Sequence, residues 1–135
     1  MIYQYDPTMR WFLQDIDAKS FEWPWENWDK YVIKVSMKEQ VIRGFSIFQI
    51  VPNSVLILRL ATHYHCRNEG VGSELLADIE AVAVRHQLQL ICTMVHECND
   101  LGIQFLCRRG FRAGKVNREF FSDGRDTINF YKSIE

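Results

Sequence analysis

Few features of the sequence mark a specialised class of protein. The four cysteines have no framework spacing, so we expect reduced thiols in a cytoplasmic protein and no disulfide scaffold. No apolar run approaches the length of a membrane span, and the first residues lack the basic start and apolar core of a secretory signal. Internal repeats and low-complexity segments are also absent. The composition is therefore that of an ordinary globular protein with no membrane partner.

The charge balance gives no reason to expect a nucleic-acid partner. The formal net charge is −1 at pH 7, so no overall field would attract a polyanion or an acidic membrane. The chain has 135 residues, which is enough for one domain with a core and too few for two. We therefore expect one domain over residues 1–135.

The helices are predicted from their capping residues. Asp6-Pro7 is typical of a helix start, and this helix should run to about Phe21. Pro24 should end it and begin a second short helix. Asn99-Asp100 can cap a later helix that ends near Arg109, before a left-handed glycine at Gly110. The second helix includes Trp28. The residues expected to face inward are Trp11, Phe12 and Ile16 in the first helix and Leu101, Phe105 and Leu106 in the later one.

The strands are predicted from apolar runs bounded by turns. Gly44 interrupts one run and predicts a bulge. Asp123-Gly124 predicts the turn of a final hairpin. The predicted strands cover residues 2–5, 31–37, 41–51, 54–62 and 89–95 and the two arms of that hairpin. Together with the helices they indicate one α/β domain with helices against a central mixed sheet.

The stretch from Ser54 to His86 organises the chain. It reads as a strand that is apolar on both faces except at Arg59, as expected for a central strand covered on both sides. A polar loop with Gly70 and Gly72 and an amphipathic helix follow. The first turn of a helix has N–H groups without internal partners and a partial positive charge, which suits a phosphate. Two interpretations stay open from these residues alone, a phosphate-binding loop and a plain strand–turn–helix.

The loop has a recognisable motif. Residues 67–72, Arg-Asn-Glu-Gly-Val-Gly, fit the pattern Q/R-x-x-G-x-G/A. This pattern resembles the pyrophosphate-binding signature of the Gcn5-related N-acetyltransferases (GNAT). Within that family the sequence most closely resembles the ribosomal-protein-alanine N-acetyltransferases, which modify the α-amine of a protein N-terminus. The segments that carry this resemblance are residues 20–25, 67–72, 117–121 and 123–126, with Asn99 followed by Gly110-Phe111.

The resemblance implies a fold and a ligand. The fold would be the single-domain acyl-CoA N-acyltransferase fold, with a mixed, mostly antiparallel sheet flanked by helices and with splayed central strands. The ligand would be acetyl-CoA, whose pantetheine arm enters between those strands. The residues that the resemblance assigns to acetyl-CoA are Leu60, Ala61, Thr62, Arg67, Asn68, Glu69, Gly70, Val71, Gly72, Ser73 and Asn99.

Two positions depart from the family pattern. A glutamate that serves as general base in the related enzymes is replaced by Met94, and a tyrosine that serves as general acid is replaced by Leu106. Losing both groups slows the transfer but need not abolish it, since water chains or other side chains can move the proton. The candidates at the ends of the two central strands are His63, His65, His96 and Glu97, each of which also fits a plain polar strand end. With Cys66 and Cys98 these histidines resemble zinc ligands, but their spacing is loose and we predict no metal.

The acceptor would be a primary amine on a peptide N-terminus or a small molecule. Trp25, Phe120 and Phe121 are expected to frame its site, although one of the phenylalanines fits core packing equally well. Arg59 either meets the acceptor or pairs with a buried carboxylate. The expected function is an N-acetyltransferase, acting as a monomer or a homodimer. The alternatives are a weakly active or inactive CoA-binding regulator and a fold relative that binds no CoA.

Overall fold

The computed structural model describes residues 1–16, 29–96, 99–117 and 127–134. The second predicted helix, with Trp28, and the predicted turn at Asp123-Gly124 lie outside these residues. The strands are β1 (Ile2–Gln4), β2 (Val32–Lys38), β3 (Val41–Val51), β4 (Ser54–Thr62), β5 (Leu90–His96), β6 (Arg112–Asn117) and β7 (Thr127–Ser133). The helices are α1 (Arg10–Ile16), α2 (Val71–Arg85) and α3 (Asp100–Arg108), with 3₁₀ turns at Pro7–Met9 and Tyr64–Cys66.

The described strands form one mixed sheet of seven strands. Its order is β1-β2-β3-β4-β5-β7-β6. β4 pairs in parallel with β5, from Ser54 opposite Leu90 to Ile57 opposite Thr93. β2 pairs antiparallel with β1 and β3, and β7 pairs antiparallel with β5 and β6. A parallel pair needs a long crossover connection, and α2 supplies it here. The predicted mixed sheet flanked by helices is confirmed.

The chain divides into two compact units. The first comprises Met1–Gln49 and Leu58–Val82, and the second comprises Ile50–Ile57 and Ala83–Glu135. The core of the first unit includes Tyr5, Leu13, Ile33, Val35, Phe45 and Ile47. Buried residues of the second unit include Val55, Ile57, Ile91, Leu106, Phe111 and Phe130. The assignment of all 135 residues to one domain stays a prediction.

The β2–β3 hairpin has a turn of only two residues. β2 ends at Lys38 and β3 begins at Val41. The two turn residues, Glu39 and Gln40, have φ values of 53° and 67°. Positive φ at both central residues is the geometry of the tight turns that match the twist of paired strands, although glycine and asparagine adopt it more readily. This turn fixes which residues of β2 and β3 face each other.

The predicted inner face of the first helix was wrong at one position. Phe12 is 63% exposed, whereas its neighbour Leu13 is fully buried. The side chain of Asp6 caps the segment as predicted, because its Oδ1 accepts a hydrogen bond of 2.9 Å from the Thr8 N–H. The first turn is 3₁₀, however, and the α-helix begins only at Arg10. The buried stripe therefore follows the i, i+4, i+7 spacing of Met9, Leu13 and Ile16.

The predicted inner face of α3 also needs one correction, because Leu101 is 72% exposed while Leu106 is buried. The two lie about 140° apart around a helix of 3.6 residues per turn, so they cannot share one narrow face. The predicted end of the helix is confirmed. Gly110 has a φ of 88°, and the N–H of Phe111 reaches back to the Leu106 carbonyl over 3.0 Å. This is the left-handed glycine cap, and the side chains of Leu106 and Phe111, which its hydrogen bond joins, are both buried.

Candidate functional site

The loop between β4 and α2 has the backbone that its glycine and asparagine allow. Asn68 and Gly70 have φ values of 66° and 80°, in the left-handed region. The first helical hydrogen bond runs from the Glu74 N–H to the Gly70 carbonyl, over 2.9 Å. The N–H groups of residues 71–73 therefore precede the first intrahelical donor of a 15-residue helix. Such a terminus carries partial positive charge and suits a phosphate.

A bulge in β3 supports this loop. Ser36 pairs with Gly44 and Met37 pairs with Ile42, so Arg43 is an extra residue in β3. The bulge predicted from Gly44 is confirmed. The Arg43 carbonyl accepts a hydrogen bond of 2.7 Å from the N–H of His63, just after the end of β4. The bulge thus contacts the chain directly before the loop.

Gly44 lies where no side chain fits. A Cβ atom at this position would stand 2.7 Å from the carbonyl oxygen of Ala61 and 2.7 Å from Cγ1 of Val71. A Cβ atom does not pack this closely against atoms of other residues, so the backbone of β3 approaches both segments only because residue 44 is glycine. Ala61 and Val71 belong to the two segments assigned to acetyl-CoA. One glycine therefore sets how closely β3 approaches both of them.

Glu74, in the first turn of α2, is held on the surface of the hairpin. The Ser36 hydroxyl donates a short hydrogen bond to Glu74 Oε1. Nη2 of Arg43 lies 3.6 Å from the same oxygen and 3.4 Å from the Ser36 Oγ. The α-ammonium of Met1 lies 3.2 Å from the other oxygen, Oε2. The Ser36 hydrogen bond, more than the two cations, holds the pKa of the Glu74 carboxyl below its ordinary value.

Acid should weaken the folded state of the wild type more than that of a Glu74→Gln variant. A carboxyl whose pKa is lowered by folding stabilises the folded state above its ordinary pKa of 4.5, and this stabilisation is lost as the pH falls through the lowered value. Urea unfolding of both proteins at about pH 7 and about pH 3 measures the difference. The pKa of Asp6 is also lowered, mainly by the Thr8 N–H, but it contributes equally to both proteins. Equal losses of unfolding free energy would contradict this prediction.

The imidazole of His63 has a structural contact. Its Nδ1 accepts a hydrogen bond of 3.1 Å from the N–H of His65 and so caps the 3₁₀ turn after β4. The two rings stack with centroids 5.4 Å apart. Because Nδ1 accepts this hydrogen bond, the neutral ring carries its proton on Nε2. His63 therefore cannot take up a proton at Nε2 unless it first changes tautomer and loses the hydrogen bond at Nδ1. His65 is exposed on the same turn.

The Cys66 thiol is poorly suited to be a nucleophile or a metal ligand. Burial raises its pKa, and the neighbouring Glu69 raises it further. A thiol with a raised pKa stays protonated at neutral pH, whereas both nucleophilic attack and zinc binding need the thiolate. Among the residues that the structure describes, no three His, Cys, Asp or Glu side chains gather closely enough to hold a metal ion.

β4 is less covered than its apolar sequence predicts. Val55 and Ile57 are buried, but the five residues from Leu58 to Thr62 are all partly exposed. The prediction of cover on both faces is therefore wrong for this half of the strand. Leu60, Ala61 and Thr62, whose backbones were assigned to the pantetheine arm, lie in it. Arg59 is also partly exposed there, which fits either of its two predicted roles.

The second unit contains three positions that the resemblance compares with the family, Asn99, Met94 and Leu106. Asn99 caps α3, because its Oδ1 accepts a hydrogen bond of 3.0 Å from the Gly102 N–H. Met94, where the resemblance implies a general base, is 37% exposed. Leu106, where the resemblance implies a general acid, is 5% exposed and belongs to the core. This position therefore supplies packing in place of a proton donor.

Several predicted site residues are not placed. Trp25, Glu97, Phe120 and Phe121 lie outside the described residues, and only the backbone of His96 is described, at the end of β5. Conversely, no sequence motif predicted a role for Ser36, Arg43 or Glu74. One signal was available, since Lys34 and Ser36 alternate with the apolar residues of β2 and so mark a strand face that meets polar groups. Within the described residues, none of the helices has both the length and the apolar character needed to cross a membrane.

Comparison with known proteins identifies the family of this fold. The sequence model of the acetyltransferase (GNAT) family matches residues 3–111. A search of curated protein sequences found no match. The structure is similar to that of the ribosomal-protein-S18-alanine N-acetyltransferase from Escherichia coli, with a TM-score of 0.86 and 17% identity over 100% of this chain and 94% of that chain.

Two further solved structures have the same fold. Ard1 from Thermoplasma volcanium gives a TM-score of 0.90 with 17% identity over 100% of this chain and 97% of that chain. A GNAT family acetyltransferase from Elizabethkingia anophelis, solved with acetyl-CoA bound, gives 0.85 with 16% identity over 98% of this chain and 97% of that chain. At these identities the similarity shows the fold alone.

Proposed function

Because the chain belongs to the acetyltransferase (GNAT) family, we propose that it transfers the acetyl group of acetyl-CoA to a primary amine. The acceptor is the α-amine of a protein N-terminus or a small-molecule amine. The observation that carries this proposal is the loop before α2, where positive φ values at Asn68 and Gly70 lead into the first turn of a long helix. A diphosphate fits such a terminus, because its charge meets the helix dipole and backbone donors.

The chain contributes binding and orientation. The N–H groups of residues 68–73 and the Arg67 guanidinium hold the pyrophosphate. The partly exposed backbone of residues 60–62 holds the pantetheine arm. The family resemblance also assigns Asn99 to acetyl-CoA. Acetyl-CoA supplies a thioester carbonyl that a backbone N–H can polarise. Holding both reactants in one geometry supplies much of the acceleration, which suits a site without the glutamate and tyrosine of related enzymes.

Turnover is the direct test of this proposal. The protein is incubated with acetyl-CoA and a panel of peptides and small amines, and the released CoA thiol is measured. We expect release that depends on one class of amine, with mass spectrometry showing one added acetyl group on that amine. Tight acetyl-CoA binding without turnover on a broad panel would contradict transferase activity. Absence of binding would contradict the whole proposal.

Among the four candidates for proton transfer, His65 suits the described geometry better than His63. Replacing His65 with Gln should lower kcat by about 100-fold, within the usual range for a general base. His63→Asn should keep most of the turnover, because an asparagine side chain can still accept the N–H that caps the turn. The pH dependence of kcat for both variants provides the readout. If His63→Asn loses activity as severely as His65→Gln, the imidazole of His63 takes part in the reaction.

A second candidate function is supported by Leu106 and Met94. With apolar side chains at both proton-transfer positions, the protein could bind acyl-CoA and regulate a partner without catalysis. Calorimetry that shows CoA binding, combined with no acetylation and a stable partner in a pull-down, would favour this function. Rapid acetylation of a defined amine would exclude it. The splayed opening between strands and the acceptor roles of Arg59, Trp25, Phe120 and Phe121 stay predictions in either case.

A further inference from the structure

The first turn of α2 is tied to the strands beneath it by one carboxylate. Glu74 is the fourth residue of the helix; it accepts a hydrogen bond from Ser36 of the β2–β3 hairpin and forms an ion pair with Arg43. Ser36 is fully buried, and the side chains of Arg43 and Glu74 are 17% and 32% exposed. These contacts are therefore partly shielded from water, where a charge-assisted hydrogen bond is stronger than on an open surface.

An acidic residue at this place has two opposing effects. A carboxylate in the first turn stabilises the helix dipole. The same negative charge would repel a phosphate bound at that terminus. Here the carboxylate is turned onto the hairpin and lies near two cations, Arg43 and the Met1 ammonium. The repulsion between Glu74 and a bound phosphate is thus reduced, while the contacts that hold the first turn of α2 to the hairpin remain.

We propose that Glu74 is a positioning residue for acetyl-CoA, because it fixes the first turn of α2 against β2 and β3. This inference rests on the proposed function. Arg43 extends the tie to β4, since its carbonyl accepts the N–H of His63 over 2.7 Å. The end of β4 and the start of α2 are thereby held by one bulge. The N–H groups of residues 71–73 then keep a single orientation toward the pyrophosphate.

The helix offers a matched control one turn further along. Asp78 Oδ2 lies 3.1 Å from Nζ of Lys34, on the same strand as Ser36. The Lys34 and Asp78 side chains are 11% and 21% exposed, so the pair is at least as shielded as the one at Glu74. Both pairs join α2 to β2, but only the Glu74 pair lies in the first turn. Replacing Asp78 with alanine therefore tests what the loss of a contact between α2 and β2 does when that contact lies outside the first turn of the helix.

The experiment compares Glu74→Ala, Glu74→Gln and Asp78→Ala with the wild type. Calorimetry gives the dissociation constant of acetyl-CoA, thermal unfolding gives stability, and kinetics give separate KM values for acetyl-CoA and the amine. We expect Glu74→Ala to weaken acetyl-CoA binding about tenfold, since small misplacements of binding groups are costly. Glu74→Gln should stay within about threefold of the wild type, because its amide oxygen can still accept from Ser36. Asp78→Ala should lose stability and keep its affinity.

Each other pattern overturns the proposal. Tighter binding by both Glu74 variants would show that the charge acts only through repulsion. Unchanged affinity in Glu74→Ala, with lowered stability, would show a purely structural tie. An equal loss of affinity in Asp78→Ala would show that any tie of this helix matters. If the wild type itself does not bind acetyl-CoA, the proposed function fails first and the inference with it.

Discussion

Replacing Gly72 with glutamate should weaken acetyl-CoA binding by on the order of 100-fold. Gly72 is the second residue of α2, in the turn proposed to hold the pyrophosphate. Like charges about 5 Å apart near a protein surface repel by about 3 kcal/mol at an effective dielectric constant of about 20, and this energy corresponds to about two decades in a dissociation constant. The measurement is calorimetric titration of each protein with acetyl-CoA.

Thermal unfolding distinguishes this loss of acetyl-CoA affinity from a loss of fold stability. Glutamate has a higher helix propensity than glycine and is favoured in the first turn, so the melting temperature should not fall. Gly72→Gln is the matched control, because it adds nearly the same bulk without the charge. We expect it to lose only a few-fold in affinity. An unchanged dissociation constant in Gly72→Glu would mean that the pyrophosphate binds elsewhere and that this loop is a plain strand–turn–helix.

Replacing Gly44 with alanine should damage stability and acetyl-CoA binding together. The added Cβ would lie 2.7 Å from the Ala61 carbonyl oxygen and from Val71 Cγ1, so both segments must shift. Overpacking of this kind costs about 1–3 kcal/mol in unfolding free energy. Because Ala61 and Val71 lie in the two proposed acetyl-CoA segments, we also expect about a tenfold loss of affinity. Urea unfolding and calorimetry measure the two effects on the same samples.

Gly114→Ala is the control for a glycine within a strand. A Cβ there would stand 3.4 Å from the ring of Tyr131, an ordinary contact. The unfolding free energy of this variant should equal that of the wild type or exceed it by about 0.4–1 kcal/mol. A Gly44→Ala, Val71→Ala double variant removes one of the two clashing atoms and should recover part of the lost stability. Full affinity for acetyl-CoA in Gly44→Ala would contradict the assignment of Ala61 and Val71 to the binding site.

The sequence predicted the elements that carry strong local signals. The Asp6 cap, the Gly110 cap and the Gly44 bulge all depend on backbone chemistry that few residues allow, and all three are confirmed. The inner faces of the short helices were predicted less well. A helix of seven or nine residues has only one or two residues per face, so a 3₁₀ start or one shifted position moves Phe12 or Leu101 into solvent.

The candidate site was predictable where one motif described it and not where tertiary contacts built it. The loop at residues 67–72 was predicted from its resemblance to a family motif, and its part in binding acetyl-CoA stays a prediction. The group of Ser36, Arg43 and Glu74 joins the β2–β3 hairpin to a helix residue 38 positions after Ser36, and no local pattern links them. The capping contact of His63 was equally hidden, because a histidine at a strand end gives no sign of which ring nitrogen is engaged.

The two-residue turn of the β2–β3 hairpin makes loop length itself part of the site. Side chains alternate between the two faces of a strand, so a slip of one residue in this hairpin would turn Lys34 and Ser36 away from α2. Arg43 would leave its place beside Glu74 in the same step. An insertion at Glu39-Gln40 would therefore act on the bulge at Arg43, just after the turn, which contacts His63 at the end of β4 and Glu74 of α2. The length of this surface turn is thus constrained, even where the identities of its residues are free to vary.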